Sequence, residues 1–207
     1  MKKIFSIPYS LESTCIHEAA HAVIFYHFDI RVKYISITGE GDGFVNAPQT
    51  IPTALFTKDF FSKKDNENFL FMQLEKYAII KLAGYAAEFK HNKKRLPFNL
   101  RFTTGKGEAN PENDYTKAYD QMDLANELTG SNIYGDFTFY LWEVSTRRLI
   151  RRKHIWAAIE ELAKVLMNMY RSGKQIMDGK EVRVILQKHF KKTMVKPERL
   201  DVELYHE

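Results

Sequence analysis

From Cys15 to Phe28 the chain contains neither Gly nor Pro and is dense in Ala, Val, Ile and Phe. Such a run predicts a helix, bounded here at about Ser10 and Phe28. Inside it stands His17-Glu18-Ala19-Ala20-His21. On a helix, residues i and i+4 share a face, so the two imidazoles point the same way. Ile16, Ala19, Ala20, Val23 and Ile24 surround them with apolar side chains, so this helix is expected to be substantially buried. Two histidines and a glutamate are costly to bury without a shared partner. A zinc ion meets that requirement. The imidazoles can ligate it, and Glu18, beside them, is placed to take a proton from a water at the metal. The spacing points to metal-dependent hydrolysis, with a peptide bond the first target to consider.

The 207 residues, 44% of them hydrophobic and 14% aromatic, suffice for a sizeable core. They predict one compact domain over residues 1–190 and a charged tail over 191–207. The net charge of +5 is concentrated in short clusters: 90–95, Arg147-Arg148, Arg151-Arg152-Lys153 and Lys191-Lys192. No nucleic-acid motif accompanies them, so they read as solvated helix ends and loops, and no nucleic-acid partner is expected. Cys15 is the only cysteine. It permits no internal disulfide, fits a reducing compartment, and reads as a small core residue. The start, Met1-Lys2-Lys3-Ile4-Phe5, resembles a signal peptide, but Pro8, Ser10, Glu12 and Ser13 interrupt it. No apolar run is long enough for a membrane span. A cytoplasmic protein is expected.

After the first helix, the alternation from Val32 to Thr38 predicts a strand, Gly39 to Gly43 a turn, and Phe44–Ala47 a short return strand. Helical spacing covers about Phe69 to Phe89, and Ala83-Gly84-Tyr85-Ala86-Ala87 predicts close packing against another helix. The segment 55–75, beginning Leu55-Phe56-Thr57, is a possible lid or a packed connection. Asn113 or Asp114 opens a further helix to about Leu128. One long helical region is expected from about Leu141 to Arg171, closed by Gly173. Met177-Asp178-Gly179 reads as a turn and Glu181 to Phe190 as a last short helix. The fold class expected is mainly α with a small β-sheet (α+β).

A catalytic zinc needs a third protein ligand beside its water, and the residues leave three routes open. His27 matches the spacing His-Glu-x-x-His-x-x-Gly-x-x-His, but Ile24 stands where the Gly turns the chain. A helix continuing through it would carry His27 about 15 Å along the axis from His17. Glu88 sits on a later helix expected to pack near the first. Asp114 opens a helix after a long loop and can be swung into a site.

The order of motifs resembles the peptidase domain of FtsH-type membrane AAA proteases over roughly residues 10–190. His17-Glu18-Ala19-Ala20-His21 is similar to the family's His-Glu-Ala-Gly-His, with Ala20 for the Gly. Lys33–Thr38 and Gly43-Phe44-Val45 resemble its strand pair, and Ala83-Gly84-Tyr85-Ala86-Ala87-Glu88-Phe89 its Gly-Gly-Arg-Ala-Ala-Glu-Glu helix. Thr103-Thr104-Gly105 with Asn113-Asp114 resembles its Thr-Thr-Gly and Asn-Asp. Met177-Asp178-Gly179-Lys180-Glu181-Val182 resembles its Leu-Asp-Gly-Glu-Glu-Ile.

The resemblance implies a helical zincin domain with one Zn²⁺ per chain, held by His17, His21 and Asp114, with Glu18 as the base. No Gly-x-x-x-x-Gly-Lys-[Ser/Thr] occurs in the sequence, so ATP-independent hydrolysis of unfolded segments or short peptides is expected. A homo-oligomer or a separate ATPase are the partners the family would suggest. Phe44, Val45 and Asn46 are expected to form an edge to which a substrate adds as a strand. The competing readings are a catalytically silent, peptidase-like binding module and a structural zinc site. The intact Glu18 and the small number of candidate ligands favour an open, catalytic position.

Overall fold

The structure is a computed structural model that describes residues 10–48, 64–92, 114–129 and 135–190. Its elements are α1 (Leu11–His27), β1 (Tyr34–Gly39), β2 (Asp42–Asn46), α2 (Lys64–His91), α3 (Asp114–Thr129), α4 (Asp136–Ile150), α5 (Lys153–Arg171), β3 (Ile176–Asp178) and α6 (Gly179–Gln187). The chain is thus mostly helical with one small sheet, as expected. Thr103-Thr104-Gly105, Asn113, residues 93–95 and the tail 191–207 lie outside the described residues, as does 55–63. The described part of the segment considered as a lid, from Lys64 on, is the start of α2.

Helix α1 is the axis of the molecule. Ser10 caps it, accepting from the Ser13 N–H at 3.1 Å, which satisfies one of the orphan donors of its first turn. It packs on α2, α5, α6 and both strands of the hairpin. Ala19, Ala20, Ala22, Val23 and Ile24 are wholly buried, as an almost all-round apolar helix requires. It ends where Asp29 takes φ +58°. The Asp29 N–H then reaches Tyr26 O and the Ile30 N–H reaches Phe25 O at 2.9 Å, a closure that Asp tolerates without a glycine. Gly173, at φ +86°, closes α5 in the same manner.

The sheet has the order β2-β1-β3, both pairings antiparallel. Ile35 and Ile37 of β1 face the core, and β2 is one edge. The expected five-residue turn is tighter: β1 runs through Gly39 and β2 resumes at Asp42. The Gly41 N–H donates to Thr14 Oγ1 at 2.7 Å, which ties the hairpin tip to the first turn of α1.

Two expectations are corrected. Met177-Asp178-Gly179 is no turn: Ile176–Asp178 is the third strand, with Met177 opposite Ile35, and Gly179 opens α6. A Cβ on Gly179 would stand 2.1 Å from Val32 O, so the Asp-Gly pair marks a close backbone approach rather than a reversal. The helical region expected over 141–171 is two helices, broken at Arg151–Arg152. Arg152 is extended (φ −63°, ψ 132°). Its neighbours 151–154 are all exposed, so no apolar contact holds that turn helical. The break lets α4 lie on α2 while α5 presents Ile155, Ile159, Leu162 and Leu166 to the core around α1.

Glu143 of α4 is buried, with Oε1 making no hydrogen bond among the described residues. Burial pushes its carboxyl up to about 7 despite Arg147. An acid whose folded pKa is raised costs nothing below its unfolded value. The cost appears as pH rises through the window from about 4.5 to about 7. Glu143→Gln is therefore expected to be more stable than wild type by about 2–3 kcal/mol at pH 8, with the gap closing at pH 4. Urea denaturation at both pH values checks this, and an equal gap at both would refute it.

Candidate metal centre

Three elements converge at one point. His17 and His21 lie on one face of α1, their ring centroids 4.7 Å apart. Asp114 is the first residue of α3. Ala118 and Met122, one and two turns further on, are buried and anchor that face of α3 against α2. Asp114 Oδ2 lies 2.8 Å from His21 Nε2 and 3.5 Å from His17 Nε2. The three donor atoms lie within 4.8 Å of one another.

The far side of each ring is occupied. His21 Nδ1 lies 2.7 Å from the Ile80 carbonyl. A carbonyl only accepts, so Nδ1 carries a proton and Nε2 is the nitrogen turned towards Asp114. That Nε2 is buried and, despite its closeness to Asp114, is not aligned to form a hydrogen bond. His17 Nδ1 is held by Glu88 Oε1, and its Nε2 also faces Asp114. Rings fixed through Nδ1 and presenting Nε2 to a common point are the arrangement of metal-ligating histidines. Tetrahedral zinc with ligand bonds of about 2.0–2.2 Å places its donors roughly 3.4 Å apart. The His17–Asp114 separation of 3.5 Å meets that spacing, and the His21–Asp114 separation of 2.8 Å is more than half an ångström short of it. This donor set is one that could hold a divalent metal.

The field of the site favours positive charge. Burial opposes ionisation of His17, but Asp114 and Glu88 outweigh it and raise the ring to about 10. Burial also opposes charge on Asp114, yet His21, His17 and Lys81 hold it well below the usual carboxylate range. Glu18 is 7% exposed. Burial raises its carboxyl, His17 and His21 pull it back, and Asp114 raises it again. Its backbone neighbour across the site is β2: a Cβ on Gly43 would stand 2.6 Å from Glu18 Cγ. The edge strand therefore runs directly beside the carboxylate, with Phe44 54% exposed and Val45 and Asn46 half-buried.

Of the three routes to a third ligand, the structure brings Asp114 to the Nε2 face and Glu88 to the Nδ1 face of His17. His27 is in the last turn of α1, between Phe28 and Phe190, because the helix continues through the buried Ile24. Burial, with Arg152 and His154 nearby, lowers its pKa, so it is not the helix-end cation its position suggests. Cys15 is buried, and burial with Glu18 pushes its thiol up to about 12; it behaves as a small core residue.

Sequence reasoning missed two residues here. Lys81 donates to Asp114 Oδ1 at 2.8 Å, and its signal was a lone charge in the apolar run Ala78-Ile79-Ile80-Lys81-Leu82-Ala83. Gly84 was read as part of a packing segment, but its particular contact is with the His17 ring: a Cβ would stand 2.4 Å from Nε2. The ring cannot yield without leaving Glu88. Gly84→Ala is therefore expected to cost about 1–3 kcal/mol of stability by overpacking, as read by urea denaturation. Unchanged stability would mean the two helices separate freely.

No protein-family model matches the chain, and no curated protein matches it.

Proposed function

We propose that this chain is a zinc-dependent metallopeptidase that hydrolyses peptide bonds in unfolded segments or peptides, on a helical zincin fold of the FtsH-peptidase type. The observation that carries this reading is the convergence of two Nδ1-anchored imidazoles, His21 buried and His17 partly buried, on one oxygen of Asp114, with Glu18 between them and an edge strand. His17, His21 and Asp114 would hold the metal. Bound there, zinc supplies Lewis acidity, which makes water a nucleophile near neutral pH and polarises a carbonyl. With the metal bound, Glu18 would serve as the proton acceptor for water and the proton donor to the leaving amine, from its buried place beside the two histidines. Glu88 and the Ile80 carbonyl hold the two rings in the required tautomer. Substrate main chain adds to β2, whose Gly43 lets the Glu18 side chain lie against the strand.

The sequence carries no phosphate-binding loop of the Gly-x-x-x-x-Gly-Lys-[Ser/Thr] type, so within this chain substrates enter as already unfolded segments. An inert, buried Cys15 suits the reducing conditions of the cytoplasm. No helix among the described residues is long and apolar enough to cross a membrane. Elemental mass spectrometry of the purified chain, with casein cleavage on the same sample, tests the proposal. One zinc per chain and cleavage abolished by a chelator and restored by zinc are expected. A chain free of zinc that cannot be loaded would overturn it and leave a binding module.

A further inference from the structure

Between Tyr77 and Glu88 only Lys81 and Glu88 are charged, and both are spent on the same three-residue cluster. Glu88 holds His17. Lys81 Nζ lies 2.8 Å from Asp114 Oδ1, while Oδ2 of the same carboxylate faces the imidazoles. The carboxylate is thereby divided: one oxygen to an ammonium, the other to the ring nitrogens. Lys81 has little freedom to leave. Three-quarters of its side chain is buried, its ammonium stands 5.8 Å from the Tyr77 ring centre, and the adjacent Ile80 carbonyl anchors His21. A single face of α2 thus carries the outer partners of all three candidate ligands.

Resting on the metallopeptidase reading, we propose that Lys81 is a positioning residue that keeps Asp114 a one-oxygen ligand and so preserves an open coordination position. A carboxylate can offer a metal one oxygen or two. Catalytic zinc sites use three protein donors and leave the fourth position for water or substrate. If Oδ1 were free it could turn onto the metal and crowd that position. The ammonium prevents this by holding Oδ1 with a charge-assisted hydrogen bond. It also draws electron density from the carboxylate, which weakens it as a donor and leaves the metal a stronger Lewis acid.

The test loads wild type, Lys81→Met and Lys81→Arg with Co²⁺ and records the visible spectrum, with Co²⁺ titration and steady-state cleavage of a fluorogenic peptide alongside. Four-coordinate Co²⁺ absorbs more intensely than five-coordinate Co²⁺. Wild type and Lys81→Arg are expected to give the intense spectrum, and Lys81→Met a clearly weaker one. In Lys81→Met, kcat is expected to fall about 10–100-fold with KM near wild type. A Lys81→Met spectrum and kcat identical to wild type, in a chain that binds Co²⁺ one to one, would overturn the role of Lys81 and leave the metal site standing. Failure of wild type to bind Co²⁺ would overturn the metal site and this role together. Circular dichroism of the Met variant separates misfolding from the expected change. If that variant is misfolded, substitution to Leu, which likewise removes both the donor and the charge, is read in its place by the same criteria.

Discussion

Glu18→Gln is expected to retain zinc and fold while peptide cleavage falls about 10²–10⁴-fold, the usual contribution of a positioned general base. That loss corresponds to roughly 3–5 kcal/mol of barrier. Glutamine matches the size of glutamate, so the close approach of Gly43 to Cγ is preserved. It also keeps a carbonyl oxygen that can orient a water. What it lacks is the capacity to take the proton. The defect should therefore fall on kcat, with KM nearly unchanged. Because burial raises the Glu18 carboxyl, its ionisation in the folded chain carries a cost that glutamine avoids, so stability near neutral pH should be equal or slightly higher in the variant. Zinc content by elemental mass spectrometry and kcat on a fluorogenic peptide give the two readouts. Full activity with glutamine would remove Glu18 from the chemistry. Loss of zinc would make it part of the metal cage instead of the base.

The reading of α1 was available from the sequence because every relevant property is local. A run free of Gly and Pro sets the helix, the i, i+4 spacing sets the shared face, and the apolar neighbours set the burial. The helix and the shared face hold for His17 and His21, and burial holds for Glu18 and His21, while His17 stays partly exposed. The hairpin and α2 were legible for the same reason. Asp114 was not: nothing local distinguishes it from other carboxylates in its neighbourhood, and only the resemblance singled it out. Glu88 was recognised as relevant, but sequence spacing cannot say which nitrogen of His17 it meets. Lys81, Gly43 and Gly84 act through close approaches between separate elements, which leave no periodic trace. The break at Arg151–Arg152 has no Gly or Pro to announce it and follows from α4 and α5 packing on different partners. β3 is three residues long and ends in Asp-Gly, so local rules favour a turn; its pairing with β1 decides otherwise.

The sharpest contrast in the site is between Asp114→Ala and Glu88→Ala. Zinc binding by a structural site is worth about 10–16 kcal/mol over four ligands, or roughly 2.5–4 kcal/mol per ligand. Removing a true ligand should thus weaken zinc about 10²–10³-fold, enough to leave purified Asp114→Ala largely free of metal. Glu88 sits behind His17, on Nδ1, and in the proposed site it would orient the ring without donating to the metal. Its removal should cost about 10–100-fold in affinity, the range for such outer partners. The ordering is protected from a simple charge argument. Each variant deletes one carboxylate from the same cluster, so a purely electrostatic attraction for zinc would weaken comparably in both. A second effect separates them further. Asp114→Ala leaves the Lys81 ammonium uncompensated beside the ring nitrogens, which opposes a cation there. Glu88→Ala leaves Asp114, Lys81 and His21 in place and frees only the Nδ1 side of one ring. Competition with a chromophoric zinc chelator gives both dissociation constants on one scale. A Glu88→Ala chain that loses zinc while Asp114→Ala keeps it would exchange the roles of the two residues and put the third ligand on α2.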